Sequence, residues 1–417
     1  TITPRMCCYF IFAVVFLFLI LTIFFYGTKI ISFYNSANRF YCFKYLLLVL
    51  ILKFRKIQNK YNKNESNQAG YGVKSFKSIA NMDCVQVLSN DEQAIDAVYM
   101  NAANKFGWHF IAGVVRQNNG IVNSLFYLKV PGIGLLQAPK LPDTFSVLPK
   151  DKVGTFSTNY LTFVPIQAMT LWKVSYRGPM RLLGDSKRKF NVKLEATFKS
   201  KLKVFDFDVD MKDNTIIKSI SCEPWSISYF KRLKDYHQTH YEQHGELNGS
   251  VSIDGVHFDL LLNCMRDHSY GRRDWTLFHR YILHIFTLED GTKGNVGIVC
   301  APSMFTRLEI GYIYLPNGTL LPLESIDLSF YQHGEAGTPP LDYGFTFKAG
   351  GETYLVQVIV KESAEFYYGN NWEARIVENL CRFVVNGIEG WGATEWQYRN
   401  YTSRRTEIKP GYRKDQY

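Results

Sequence analysis

The densest chemistry in this sequence lies between Arg266 and Trp275. Two carboxylates, three guanidiniums, an imidazole, a hydroxyl, a phenol and an indole fall within ten residues. Asp267, His268 and Asp274 are candidate catalytic groups for general acid or base work. Tyr270 and Trp275 offer aromatic faces that could stack on a ligand or steady a developing cation. Asp267, His268 and Ser269 do not imply a hydrolytic triad, because consecutive residues cannot readily aim at one another. The same residues admit a structural use, with Arg266 and Arg273 pairing Asp267 and Asp274 in a buried network that fixes the loop. The residues alone leave both uses open.

Other candidate motifs carry less. His237, His240 and His244 would share one face of a helix, a spacing that suits a metal. No carboxylate–histidine signature surrounds them, and the flanking Tyr and Gln suit a strand or loop equally, so no metal is expected. Gly132-Ile133-Gly134 lacks the third glycine and following helix of a dinucleotide loop, and no Walker A or G-x-S-x-G sequence occurs. No organic cofactor is implied. The eight cysteines include no CxxC pair, which argues for free, mostly buried thiols.

The elements that must position these residues read as β-strands. Phe190, Val192, Leu194, Ala196 and Phe198 alternate with polar residues, the period of a half-buried strand, and 204–210 continues in that manner. Val251 and Ile253 lead through Asp254-Gly255 into Val256, Phe258, Leu260 and Leu262, a hairpin with a tight turn. Further turns fall at Glu289-Asp290-Gly291, Asn317-Gly318 and Asn386-Gly387. Among these strands the clearest helix candidate is Asp91–Asn104, and an N-terminal transmembrane helix is expected to precede them. Strands at this density indicate sandwiches or barrels. At 417 residues, 47% hydrophobic and 16% aromatic, the chain can form two β units, expected at 73–240 and 241–400.

The N-terminus reads differently. Met6 to Thr28 carries no charge and is long enough to cross a bilayer. Tyr45–Leu52 is too short to span and suits the interface or a re-entrant hairpin, with Lys44, Lys53 and Arg55 at its ends. Residues 1–58 are therefore expected to be a membrane anchor and interfacial segment, 59–72 a polar linker, and 401–417 a basic tail. Basic residues after the first span place the β units in the cytosol of an endomembrane. Four N-x-S/T sequons support the lumenal alternative, although two are Asn-Gly turns. The net charge of +11 collects after the apolar segment and in the tail, where anionic lipid suits it, and no nucleic-acid module accompanies it.

The stretch Arg266 to Trp275 resembles the R-D-H-S-[WY]-G-x-R-D-W signature of the carotenoid 1,2-hydratase and AttH-type superfamily. Phe126 to Gly132, Trp172 to Gly178, Tyr241 to Gly245, and Asn386 to Gly392 with Glu395-Trp396 are similar to other blocks of that superfamily, in order. Tyr270 stands where Trp is usual. The resemblance implies a mainly β protein of two lipocalin-like (calycin) barrels in tandem, with an apolar cavity at or near their interface. It implies a hydratase- or cyclase-like lyase or isomerase that protonates a lipophilic, isoprenoid-type substrate. Tyr176 and Trp396 join Tyr270 and Trp275 as substrate-binding candidates. A membrane-tethered lipid carrier is the alternative, in which the signature acids would be paired and turned away from the cavity.

Overall fold

The structure, a computed structural model, describes residues 40–61, 78–148 and 154–402. The first sheet comprises β1 (Ala94–Ala103), β2 (His109–Arg116), β3 (Ile121–Val130), β4 (Gly134–Gln137), β5 (Phe145–Val147), β6 (Phe156–Ser157), β7 (Leu161–Gln167), β8 (Leu171–Leu182), β9 (Asp185–Lys199), β10 (Phe205–Asp206), β11 (Gln238–Ile253) and β12 (Val256–Arg272). The second comprises β13 (Arg280–Leu288), β14 (Lys293–Ala301), β15 (Phe305–Tyr314), β16 (Leu320–Ile326), β17 (Asp342–Ala349), β18 (Glu352–Tyr368), β19 (Ala374–Val385) and β20 (Ile388–Arg399). The described α-helices are α1 (Tyr41–Tyr61), α2 (Ile79–Met82), α3 (Asp213–Cys222) and α4 (Ile227–Asp235), with short 3₁₀ turns at Asn118–Gly120 and Trp275–Leu277.

The chain is thus mainly β, and each sheet closes on itself. β13 to β20 form a closed barrel through the pairing of β13 with β20. In the first sheet β12 pairs β1, β4 reaches β8, and β9 bridges β8 to β11, so its pairings also form a ring. Closure removes the exposed edges that an open sheet would present. The expected Asp254-Gly255 hairpin joins β11 to β12, with both turn residues at positive φ (48° and 87°). That pair of angles matches the right-handed twist of the strands it connects.

Each ring has its own apolar interior. Phe126, Trp172, Tyr176, Leu194 and Leu262 fill the first, and Ile282, Phe286, Phe345, Phe383 and Trp396 the second. A third cluster lies between the rings, where Ile95, Ala97, Ile111 and Tyr127 meet Phe366, Tyr368, Ile376 and Leu380. The barrels therefore pack outer wall against outer wall.

This packing explains the first difference from expectation. Residues 91–104 do not form a helix; Ala94–Ala103 is strand β1, buried on both faces except at Tyr99. One face enters the barrel and the other meets the neighbouring barrel, so the polar alternation that marks a strand is lost. Residues 204–210 pair only at Phe205–Asp206, and Asp206 and Asp210 then close a turn. The passage between the sheets falls at 273–279, so the expected division at 240/241 lies within the first sheet.

At the N-terminal end, the apolar run 6–28 lies outside the described residues, as do 62–72 of the expected linker and 403–417 of the tail. Tyr45–Leu52 belongs to the 21-residue helix α1, and among the described residues no helix is long and apolar enough to cross a membrane. Lys44, expected at the end of that segment, packs against the protein. It is buried, donates to the Glu223 carbonyl and lies 5.3 Å from the Trp225 ring. None of the six described cysteines is in a disulfide; Cys264, Cys300 and Cys381 are buried and Cys42 is exposed.

Candidate functional site

Successive side chains of a strand point to opposite faces, and on β12 this divides the signature segment in two. Arg266, His268 and Tyr270 point into the first barrel. Asp267 and Ser269 point outward to the second. Adjacent Arg266 and Asp267 therefore cannot pair, contrary to the expected network.

The inward set is a buried polar network. Arg266 Nη1 donates to Asp83 Oδ1 at 2.6 Å, and its guanidinium lies 4.8 Å from the Trp172 ring. Asp83 also accepts from Trp172 Nε1 (2.9 Å) and from the Tyr241 hydroxyl (2.8 Å). His268 sits 2.6 Å from the Tyr241 hydroxyl through Nδ1 and 2.8 Å from Asp96 Oδ1 through Nε2, and Asp96 is salt-bridged to Arg116. Burial works against an ionised Asp83, but Arg266, His268 and Trp172 outweigh it and hold the carboxyl well below its usual range. The network fastens residues 82–86 to the barrel and leaves His268 fully enclosed.

The outward set faces a cavity of about 290 Å³ between the barrels. Its walls are apolar, with Ala97, Val115, Ile216, Met304, Phe305 and Leu308 among them. Trp275 stacks on Tyr368 at 5.4 Å and 5°. One region is polar. His240 Nε2 lies 2.9 Å from Asp267 Oδ2 and 3.3 Å from Glu242 Oε1, and its ring stacks on Phe207 at 4.2 Å. Arg273 donates to Ser269 Oγ and to Gln238 Oε1, both at 2.9 Å.

Glu395 reaches the cavity from β20 and accepts from the Tyr281 hydroxyl. Its register partner on β19 is Glu378. Glu378 Oε1 accepts from Tyr99 (2.6 Å) and Asn101 (3.1 Å), while its buried Oε2 meets no donor among the described residues other than this second carboxyl. Two carboxyls facing each other in a dry interface cannot both ionise, and a shared proton satisfies both.

The cavity's titratable groups are driven apart. Burial, then the charge of Asp267, pushes Glu395 up to about 7. Burial and Glu395 raise Glu378 further. Burial opposes the charge on Asp267, yet His240 and Arg273 hold it below the usual range. Burial alone would deprotonate His240, but Asp267 and Glu242 outweigh it and lift the ring to about 10. Such divergence separates an acid from an ionised partner within one site. His240, Glu242 and Asp267 bring one ligand atom each within 4.8 Å of one another.

Of the sequence candidates, Asp267, Arg273 and Trp275 meet at this cavity. His268 and Arg266 belong to the buried network, and Tyr270 packs beside them, its ring 5.4 Å from that of His268. Asp274 caps a short 3₁₀ turn, accepting from the Thr276 amide. Tyr176 and Trp396 lie in separate barrel interiors, hydrogen-bonded to Pro179 and Thr394. The expected helical face of His237, His240 and His244 does not form. β11 turns His240, Glu242 and His244 outward at every second residue, and His237, just before the strand, meets Asp208. Sequence reasoning missed Glu395, Glu378 and Glu242. Glu378 and Glu395 stand among other polar residues of β19 and β20, and only the register reveals their adjacency.

Two closed antiparallel barrels sharing a wall-to-wall cavity define the class. The sequence matches a family of unknown function (DUF8627) over residues 10–398, and the chain belongs to that family. No curated protein matches it. Kievitone hydratase from Nectria haematococca shares the fold at 13% identity, with 80% of this chain and 97% of that chain covered and a TM-score of 0.50. An AttH protein of Nitrosomonas europaea aligns at 12% identity, covering 76% and 98% of the two chains with a TM-score of 0.47. CghA aligns at 8% identity, covering 81% and 98%, with a TM-score of 0.44.

Proposed function

We propose that this protein is an enzyme of the hydratase or lyase type, built on two lipocalin-like barrels related to the carotenoid 1,2-hydratase and AttH-type superfamily. It acts on a lipophilic, isoprenoid-type substrate in the cavity between the barrels. The observation that carries this reading is the Glu395–Glu378 pair, two buried carboxyls set face to face beside an apolar cavity that Asp267 also lines. Kievitone hydratase, which shares the fold, is by its name a hydratase.

In this mechanism Glu395 gives its proton to one carbon of a double bond. The electron-poor neighbouring carbon is faced by the aromatic pair Trp275 and Tyr368. Asp267, fixed by His240, orients a water whose oxygen bonds that carbon. The proton that water releases returns to Glu395, so the net change is the addition of one water. The cavity lies at the small end of ligand pockets, roughly 300–1,000 Å³, and suits a small lipophile or one end of a longer one.

The test is mass spectrometry of lipid extracts incubated with the full chain, wild type beside Glu395→Gln, in water enriched in the heavy oxygen isotope. A species gaining one labelled water with wild type alone supports the reading. Lipids that co-purify unchanged with both proteins favour a carrier and remove the catalytic role from Glu395.

A further inference from the structure

Helix α1 has two unlike faces. Leu48 and Leu52 are buried against Ile216, Ile217 and Ile220 of α3 and against Met304 and Phe305. The outward face carries Leu46, Leu50, Phe54 and Ile57, exposed by 62%, 64%, 65% and 57%. The spacing of four, four and three residues keeps them on one stripe. At 1.5 Å per residue the stripe is about 16 Å long. α4 adds Ile227, 92% exposed, and Phe230, whose ring meets Trp225 beneath Lys44 of α1. Lys53, Lys231 and Lys234 are exposed on the same two helices.

We infer that α1 and the start of α4 form a docking surface for an anionic lipid bilayer, with α1 lying in the plane of the membrane. Three observations select this occupant. The inner face of α1 is committed to α3 and β15, so lipid cannot surround the helix and it does not span. Exposed lysines border the stripe, as they do on helices seated at an anionic interface. In sequence, the uncharged apolar run 6–28 precedes α1 by only twelve residues, so whatever bilayer takes that run lies within reach of the stripe.

The position of α1 also bears on the cavity. Ile216, Met304 and Phe305 line it and belong with Leu48 and Leu52 to one buried apolar cluster. Apolar side chains therefore run without a break from the cavity wall to the lipid-facing stripe. The docked face is the side from which a lipophile would be exchanged between bilayer and cavity. The docking claim itself stands apart from catalysis.

The experiment uses the full chain on vesicles of phosphatidylcholine with one-fifth phosphatidylserine. An environment-sensitive fluorophore is attached at Leu50→Cys or Phe54→Cys, in a background lacking the other accessible cysteines. The expected result is blue-shifted emission at both positions, quenched several-fold by nitroxide-bearing lipid. Water-like emission at both positions on vesicle-bound protein overturns the proposal. Blue-shifted emission that nitroxide lipid fails to quench also overturns it, because the stripe is then covered by protein, either a second copy or residues 6–28. Leu50→Glu with Phe54→Glu should keep the wild-type circular dichroism and Tm while abolishing the quenching at a probe placed at Leu46; quenching that persists counts against the proposal.

Discussion

Glu395 and Asp267 share a cavity yet hold their protons oppositely, and this divergence sets the pH behaviour of the site. Glu395 is raised from 4.5 to about 7, so the native state binds its proton more tightly than the unfolded chain. The resulting stabilisation is full below about 4.5 and is lost as pH rises through about 7. Turnover that needs the protonated acid should fall over the same upper limit. Glu395→Gln should fold, lose on the order of 10²–10⁴ in rate, and flatten the stability profile between those limits, measured by chemical denaturation at several pH values. Asp267 behaves in the opposite sense: its folded pKa is depressed, so its contribution is lost as pH falls through that value. Asp267→Asn should remove the main partner of His240 and lower the imidazole's midpoint from about 10, read by NMR titration. An unmoved midpoint would mean that Glu242 alone holds the ring charged.

Strand β12 and the 3₁₀ turn that follows it differ in what a substitution costs. Arg266→Met leaves the Asp83 carboxylate buried without its cation, and breaking a buried pair in this way costs about 3–5 kcal/mol. Asp274→Ala removes only the acceptor for the Thr276 amide, a loss of about 1 kcal/mol at a cap. Denaturant midpoints of the two variants should therefore differ severalfold in their shift. Asp274→Ala should also keep wild-type turnover, since the side chain does not line the cavity. Equal midpoints for the two variants would remove the network's structural role.

Across the whole molecule, the barrels share a wall, and the cavity exists only while that wall is intact. Phe366 and Ile376 are fully buried in the cluster between the barrels. A large apolar interface couples domains that would otherwise move independently. The wild-type barrels should unfold in one calorimetric transition. Phe366→Ala should cost about 3–5 kcal/mol and, combined with Ile376→Ala, separate the trace into two transitions. A single transition at lowered Tm for the double variant would show that other contacts provide the coupling.

Much of the fold was legible because local rules decided it. The alternation in 190–198 and the Asp254-Gly255 turn depend only on side-chain period and backbone angles, and both recur as expected. Strand β1 was not legible, since burial on both faces by the second barrel erased its alternation and left a pattern that reads as a helix. The same limit applied to the site. The signature segment drew attention to Asp267, Arg273 and Trp275, but its composition could not say which residues face the cavity; the pleat of β12 sent His268 one way and Asp267 the other. Glu378 and Glu395 are separated by a turn and sixteen positions, and only the β19–β20 register sets them face to face. The sequence by itself determined the β-rich class, the turns and the short apolar run Tyr45–Leu52, all consequences of near neighbours. The tertiary structure decided the Glu378–Glu395 pairing and the cavity, because carboxyl proximity and dryness are properties of strands brought together from distant parts of the chain.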